Sequence, residues 1–411
     1  MKQEKTVKKG ILIVGAGILQ IAAVEKAKEL GYFVYITDLN DKAPAVRYAD
    51  KFFKLSIKDV KGHVQLAKKL KRENRIIAVY TQGCEAAYTV AMAAKVAGLP
   101  GIDPQAALNC DDKIETRTIL NRKKIDLVRF VTAKNEKEAA AAVKRIGFPC
   151  VVKPADNSAS RGLTVLCNEP ETAAAFNGAM EKCFQRKEVI IEEFLNGPEY
   201  SVDTVLYRGK LYPAGISDRL FRPIEKYSVQ IGSLTPSLLP AEIQLEMYRL
   251  MDKAAGALGV DNGAFKGDLI LVNGRPKIIE VTARTSGGFD SQYRKPYSFG
   301  IDLLKATMDI AAGKPLDPLD LIPKWCKWSK TTTVFTKPGI IQSITGVEKL
   351  KKQKGVKNIF LFVKAGDEIK DYKNCADRVG QIVIVADTYE ELIEVEEVVQ
   401  KTLRFETEVP K

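Results

Sequence analysis

Over the first hundred residues the hydrophobic positions follow two alternating rhythms. Short β-branched and aromatic runs occur at "ILIVG" (11–15), "YFVYITD" (32–38), "KFFKLS" (51–56) and "IIAVYTQG" (76–83). Between and after them, near 18–30, 59–72 and 85–98, apolar residues return every three or four positions. Strand-length runs alternating with helical periodicity predict a parallel sheet wound with helices. The turn after the first run, "GAGILQ", and Asp38 at the end of the second resemble the start of a dinucleotide-binding fingerprint. Its third glycine is absent, with Gln20 in that place, so Gly15 and Gly17 read chiefly as turn glycines.

The rhythm changes at "LPGIDPQAALNCDDK", whose turn residues mark a boundary near residue 103. A strand is expected near 128–134 and a helix at "EKEAAAAVKRIG", followed by "FPCVVKPADNSASRGLTVL", which reads strand, loop, strand. "VIIEEFLNGPEYSVD" (189–203) is an apolar run that closes on two adjacent acids before a turn. "GDLILVNGRPKIIEVTAR" (267–284) alternates on both sides of Asn-Gly and reads as a β-hairpin. A third segment from about 330 is a small mixed α/β unit ending in the acidic helix "TYEELIEVEEVVQKTL". The expected organisation is an N-terminal α/β domain over 1–102, a central domain over 103–329 with a lid at roughly 114–190, and a C-terminal α/β domain over 330–411.

Composition narrows the function classes. A chain of 411 residues, 45% hydrophobic and 28% charged, has material for two or three well-buried domains. No run is long enough to span a bilayer and no signal-like segment is present, so a cytoplasmic protein is expected. The seven cysteines are odd in number and lack CxxC spacing, which argues against a disulfide framework or structural zinc and makes most of them small core residues. The single histidine, His63, excludes multi-imidazole chemistry; its lysine-rich surroundings predict a solvated surface position. The net charge of +13 is spread through short runs without interleaved aromatics, so a nucleic-acid partner is not expected. Such a field suits the collection of small polyanions.

Three stretches carry the candidate chemistry. Lys153 closes a strand before a loop holding Ser158, Ser160, Arg161 and Gly162; small residues free backbone amides for anionic oxygens while the cations neutralise them. The hairpin brings Asp268 and Glu280 to one neighbourhood, and hard oxygen ligands without imidazole or thiolate favour magnesium or manganese. Thr282 and Arg284 share the strand face of Glu280.

Taken in order, these pieces resemble the ATP-grasp superfamily of carboxylate–amine ligases, and the full-length match, including the tail from "GVEKLKKQKGVKNIF", is similar to ligases that join amino acids. The resemblance implies an ATP-grasp fold, ATP with Mg2+ or Mn2+ as cofactors, and small-molecule carboxylate and amine substrates, with a homodimer as an allowed assembly. It implies that Lys113 of "DDK" and Lys153 reach the nucleotide phosphates. "EEFLNGPE" matches the adenine-binding motif: Glu192 at the base edge, the backbone of Glu193, Phe194 and Leu195 as hinge, Glu199 on the ribose. Asp268 and Glu280 match the metal acids, Arg284 the arginine that neutralises an acyl phosphate, and Ser286, Gly287 and Gly288 a loop beside the substrate. Arg219 and Arg222 are candidates to clamp a substrate carboxylate. Thr282 stands where an asparagine ligand is usual, and Lys266 and Asp268 where related ligases have histidine and glutamate. The reaction implied is ATP-dependent acyl-phosphate formation followed by amide formation. A carboxylase using carboxyphosphate and a non-catalytic ATP-binding protein are the competing readings.

Overall fold

The computed structural model describes residues 9–157, 161–224, 227–372 and 377–408. As the alternating rhythms predict, the N-terminal segment forms a parallel sheet. It contains β1 (Gly10–Val14), β2 (Phe33–Asp38), β3 (Lys51–Lys54) and β4 (Ile76–Tyr80), ordered β3-β2-β1-β4. The β1 run is buried on both faces because helices cover the sheet on either side, which explains its continuous apolar character. The glycine turn is filled from within: the Asp38 carboxylate accepts from Ala16 N at 2.8 Å, and buried Gln20 donates to Gln82 O at 2.6 Å.

The surface position expected for His63 is corrected here. Helix Val60–Arg72 turns His63, Ala67 and Leu70 toward the sheet, and the imidazole is fully buried between Thr37 Oγ1 and Asp59 O, each at 2.8 Å. Burial lowers its pKa and favours the neutral ring. The cysteines are likewise mixed: Cys110, Cys150 and Cys183 are buried, Cys84 is half-buried, and Cys167 and Cys326 are exposed. Cys375 lies outside the described residues.

A second sheet holds β5 (Phe130–Ala133), β6 (Cys150–Pro154), β7 (Thr164–Leu166) and β8 (Val189–Glu193) in the order β5-β8-β6-β7. Helix Glu136–Ile146 packs on it through Ala139, Ala142, Val143 and Ile146, giving a small separate core. Helix Lys113–Arg122, which the sequence groups with this lid, packs Ile114 against the lid residues Ala155 and Ile190 and also buries Ile119 and Leu120 in the core of the central sheet.

The remaining strands are β9 (Glu199–Tyr207), β10 (Lys210–Ile224), β11 (Tyr227–Thr235), β12 (Gly263–Val272), β13 (Arg275–Thr282), β14 (Trp328–Val334), β15 (Gly339–Thr345), β16 (Val356–Leu361), β17 (Glu368–Ile369), β18 (Gly380–Ala386) and β19 (Arg404–Glu408). Eight of them form one sheet, β13-β12-β9-β10-β11-β14-β18-β16; β17-β15-β19 form a small fourth sheet. The central sheet therefore runs without a break across residue 330, because β14 pairs with β11 at Gly232↔Thr332 through Thr235↔Ser329. Gly232 permits that approach: a Cβ there would lie 2.3 Å from Thr331 O.

Candidate active site

The β12–β13 hairpin turns through Asn273 and Gly274, both at positive φ, as its Asn-Gly signal requires. That turn sets the register as far as Leu269↔Ile278, and a shift of one residue beyond it makes Asp268 and Glu280 direct cross-strand partners. A bulge beside Asp268 leaves Ile279 unopposed. Its freed carbonyl accepts from Arg117 Nη2 at 3.2 Å, which ties the hairpin to helix Lys113–Arg122. Asp112 caps that helix by accepting from Ile114 N and Glu115 N, which fixes Lys113 at its first turn. Lys113 Nζ donates to Asn157 O at 2.5 Å and pairs with Glu280 at 3.2 Å.

Alternation along β8 places Ile190 and Glu192 on the face toward helix Lys113–Arg122, while Val189 and Ile191 fill the lid core. Glu192 is almost wholly buried, and its two oxygens are held by Arg117 Nε at 2.6 Å and Lys153 Nζ at 2.5 Å. Arg117 Nη1 also reaches Asp126 at 3.4 Å. Burial alone would raise the Glu192 pKa, but the Arg117 and Lys153 charges and their hydrogen bonds outweigh it and hold the group at about 2. Burial depresses Lys153, and the nearby Arg117 and Lys113 charges add to the effect, against the pull of Glu192. Arg117 escaped the sequence reading because its partner is 75 residues away and lies on another element.

After β8 the chain passes Phe194, exposed, and Leu195, half-buried; Phe194 N donates to Pro149 O at 3.3 Å. Gly197 is required at this bend, since a Cβ would lie 2.1 Å from Leu271 O. Glu193 is held by Arg129 through its backbone N and Nε, both at 2.9 Å. Glu199 opens β9 opposite Arg219 of β10, whose Nη1 lies 2.6 Å from its carboxylate; burial raises the Glu199 pKa and Arg219 opposes that rise.

Asp268 contacts Lys266 Nζ and lies 3.4 Å from Arg219 Nη1. Its Oδ1 is buried and accepts no hydrogen bond. Burial acts to raise both Asp268 and Glu280, but Arg219 and Lys266 at the former, and Lys113 at the latter, outweigh it and hold both carboxyls below their ordinary values. A pair of hard carboxylates, one with an open buried oxygen and both faced by cations, fits a divalent metal whose remaining ligands come from phosphates and water. Among the described residues no group of three or more His, Cys, Asp or Glu side chains is placed to hold a metal by itself. Thr282 is buried and pairs with Lys266 rather than with Asp268.

Arg284 lies at the end of β13, donates to Thr285 O at 3.0 Å, and places its charge near Asp268, Asp111 and Cys84. Ser286, Gly287 and Gly288 line a cavity of about 110 Å3 together with Arg219, Lys266 and Asp268. Arg222 is exposed and does not line this cavity. Arg161 reaches across to the N-terminal domain and pairs with Glu85 at 2.5 Å; Gly162 sits at positive φ with a Cβ position only 3.0 Å from Lys182. Ser158 and Ser160 lie outside the described residues. Beneath the 286–288 loop is a buried charge cluster that the sequence reading missed. Asp203 accepts from Ser286 N at 3.2 Å and Oγ at 2.6 Å and contacts Lys295, while Asp290 pairs with Arg294 at 2.8 Å and Lys295 at 3.3 Å. Its sequence signal is faint: Asp290 and Arg294 have the i, i+4 spacing of an ordinary surface pair.

With this geometry in view, comparison with known proteins defines the class. Residues 146–292 match the ATP-grasp domain family and residues 332–408 the family described as L-amino acid ligase C-terminal domain 2. The chain thus carries an ATP-grasp domain followed by a C-terminal domain of the L-amino acid ligase type. It is 27% identical over 257 residues to an alanine–anticapsin ligase of Bacillus subtilis, covering 56% of this chain and 52% of that protein. The structure of an L-amino acid ligase from Bacillus licheniformis superposes with a TM-score of 0.83 at 22% identity, over 97% of this chain and 99% of that one. The biotin carboxylase domain dimer of Hydrogenobacter thermophilus 2-oxoglutarate carboxylase, solved with MgADP and bicarbonate, superposes at 0.76 with 18% identity, over 98% and 91%. The chain spans 64% and 52% of the first two curated relatives it matches.

Proposed function

We propose that this protein is a cytoplasmic ATP-dependent carboxylate–amine ligase that forms an amide or peptide bond through an acyl phosphate. The observation that carries the reading is the convergence of Lys113, Arg219 and Lys266 on the cross-strand pair Asp268 and Glu280, with the charge of Lys153 close to Glu280. Such a surplus of cations around two hard acids suits a chelated polyphosphate. Lys113 and Lys153 hold its phosphates, the hinge at Glu193–Leu195 reads the base through backbone atoms, and Glu199 accepts from the ribose. Glu192, saturated by Arg117 and Lys153, orients Lys153 rather than reading the base by its carboxylate.

Asp268 and Glu280 would hold magnesium, which, when bound, screens the phosphate charge and polarises the transferable group. The substrate carboxylate oxygen attacks the γ-phosphorus, the bond to the β,γ-bridging oxygen breaks, and ADP leaves with that electron pair. The amine nitrogen then attacks the acyl carbon; the carbon–oxygen bond to phosphate breaks, phosphate carries away its electrons, and the amine proton passes to solvent or phosphate. Charge neutralisation by Arg284 and Arg219 and the fixed 286–288 loop supply the positioning on which such a transfer depends. A homodimer is the expected assembly in solution, checked by light scattering.

A phosphate-release screen with ATP, magnesium and a matrix of carboxylic acids and amines tests the proposal. ADP and phosphate are expected only when an acid and an amine are both present. Release driven by bicarbonate alone would identify a carboxylase, and nucleotide binding without turnover in any combination would identify a binding protein.

A further inference from the structure

The cavity beside Asp268 has a chemical character that goes further than the ligase reading on which this inference rests. Among the described residues none of its lining side chains is aliphatic or aromatic; four are cationic (Arg219, Lys266, Arg294, Arg378) against two that are anionic (Asp268, Asp290). Besides Asp268 Oδ1, buried polar atoms of Arg294 and Thr331 are left open on its wall. Arg294 is 1% exposed, gives Nη2 to Asp290 at 2.8 Å and Nη1 to Thr235 Oγ1 at 3.2 Å, and has no partner for Nε. Thr331, also 1% exposed, has no partner for Oγ1. Leaving such groups unmatched costs about 1–3 kcal/mol each, so a wall that retains two of them on one cavity is built to be completed by a ligand.

We infer that the acid activated by this enzyme carries a second carboxylate, which Arg294 and Arg378 receive with a hydrogen bond from the Thr331 hydroxyl, while its reacting carboxylate faces Asp268 and the bound polyphosphate. The substrate class is a short dicarboxylic acid or an acidic amino acid. Size agrees: a cavity of about 110 Å3 has room for roughly four waters, enough for a short chain and one terminal group. An apolar side chain would find no apolar surface and would leave Arg294 Nε and Thr331 Oγ1 unmatched. Arg378 and Gln381 come from the C-terminal segment and Thr331 from β14, so that segment completes the specificity pocket.

Calorimetric titration of the full-length protein, without nucleotide, with succinate, glutarate, aspartate and glutamate against butyrate, asparagine and glutamine tests the inference. The dicarboxylates should bind at least about tenfold tighter than the analogues with a single carboxylate, as expected for a charge-assisted pair. Arg378→Gln should erase most of that difference with an unchanged thermal midpoint; Arg294→Lys, closer to the core, should reduce it. Equal binding of monocarboxylate and dicarboxylate ligands, or no binding of any dicarboxylate, overturns the inference. The ligase reading is judged separately: selective dicarboxylate binding without phosphate release in any acid and amine mixture would sink that reading alone, whereas release driven better by monocarboxylic acids would retain it and sink the inference.

Discussion

Glu192 shows how a single residue can be legible in type and opaque in role. Its place at the end of an apolar strand is written in "VIIEE", but its binding of Arg117 depends on packing between β8 and helix Lys113–Arg122, which no local pattern encodes. Arg117, Glu192, Asp126 and Lys153 are all buried. Removing one partner strands a charge, so Arg117→Leu should lower unfolding free energy by about 3 kcal/mol in denaturant titration. The folded pKa of Glu192, about 2 against an ordinary 4.5, gives a second test. A depressed carboxylate contributes stability that is fully present above about pH 4.5 and lost as pH falls toward 2; the shift corresponds to roughly 3 kcal/mol. Stability of the native protein should therefore fall more steeply over that interval than that of Glu192→Gln; parallel curves would remove Glu192 from the account. His63 was misread for a different reason: lysines flanking it in sequence occupy another face of its helix, and the imidazole points inward.

Elements were more legible than contacts. The β12–β13 hairpin could be placed because Asn-Gly specifies a tight turn; counting back from it pairs Asp268 with Ile279, and the bulge beside Asp268, which no local pattern marks, shifts the partner by one to Glu280. The continuity of the central sheet was hidden, since nothing in "KTTTV" says that it will pair with β11. Gly232 tests that junction. Replacing it with alanine places a Cβ against the Thr331 carbonyl, and the strands must part; a loss of about 1–3 kcal/mol is expected, together with weaker substrate binding, because Thr331 lines the pocket. The lid loop behaves differently. Arg161 and Glu85 form a partly exposed pair that bridges the lid and the N-terminal domain. Arg161→Ala should leave stability within about 0.5 kcal/mol yet lower kcat/KM for ATP several-fold, so steady-state kinetics and unfolding are to be measured on the same variant. Equal activity of the two proteins would deny the contact a role in closure.

At the scale of the molecule, separate segments contribute to one centre: Lys113 from the linker helix, Lys153 from the lid, Asp268 and Glu280 from the central hairpin, and Arg378 from the C-terminal segment. The net charge of +13 gives the whole chain a positive field, which favours capture of polyphosphate and acid alike. The buried quartet of Asp203, Asp290, Arg294 and Lys295 was invisible at this scale in the sequence, because charges in "FDSQYRKP" carry no mark of burial; only the assembled sheet surrounds them. The central claim is that a substrate carboxylate is phosphorylated by ATP before an amine displaces the phosphate. Its most direct test is phosphorus NMR of phosphate released from ATP and magnesium with a panel of acids labelled with oxygen-18 in the carboxylate, plus an amine acceptor. The account predicts that one labelled oxygen moves from the acid into each phosphate formed with product; acid- and amine-dependent product accompanied by unlabelled phosphate would contradict it.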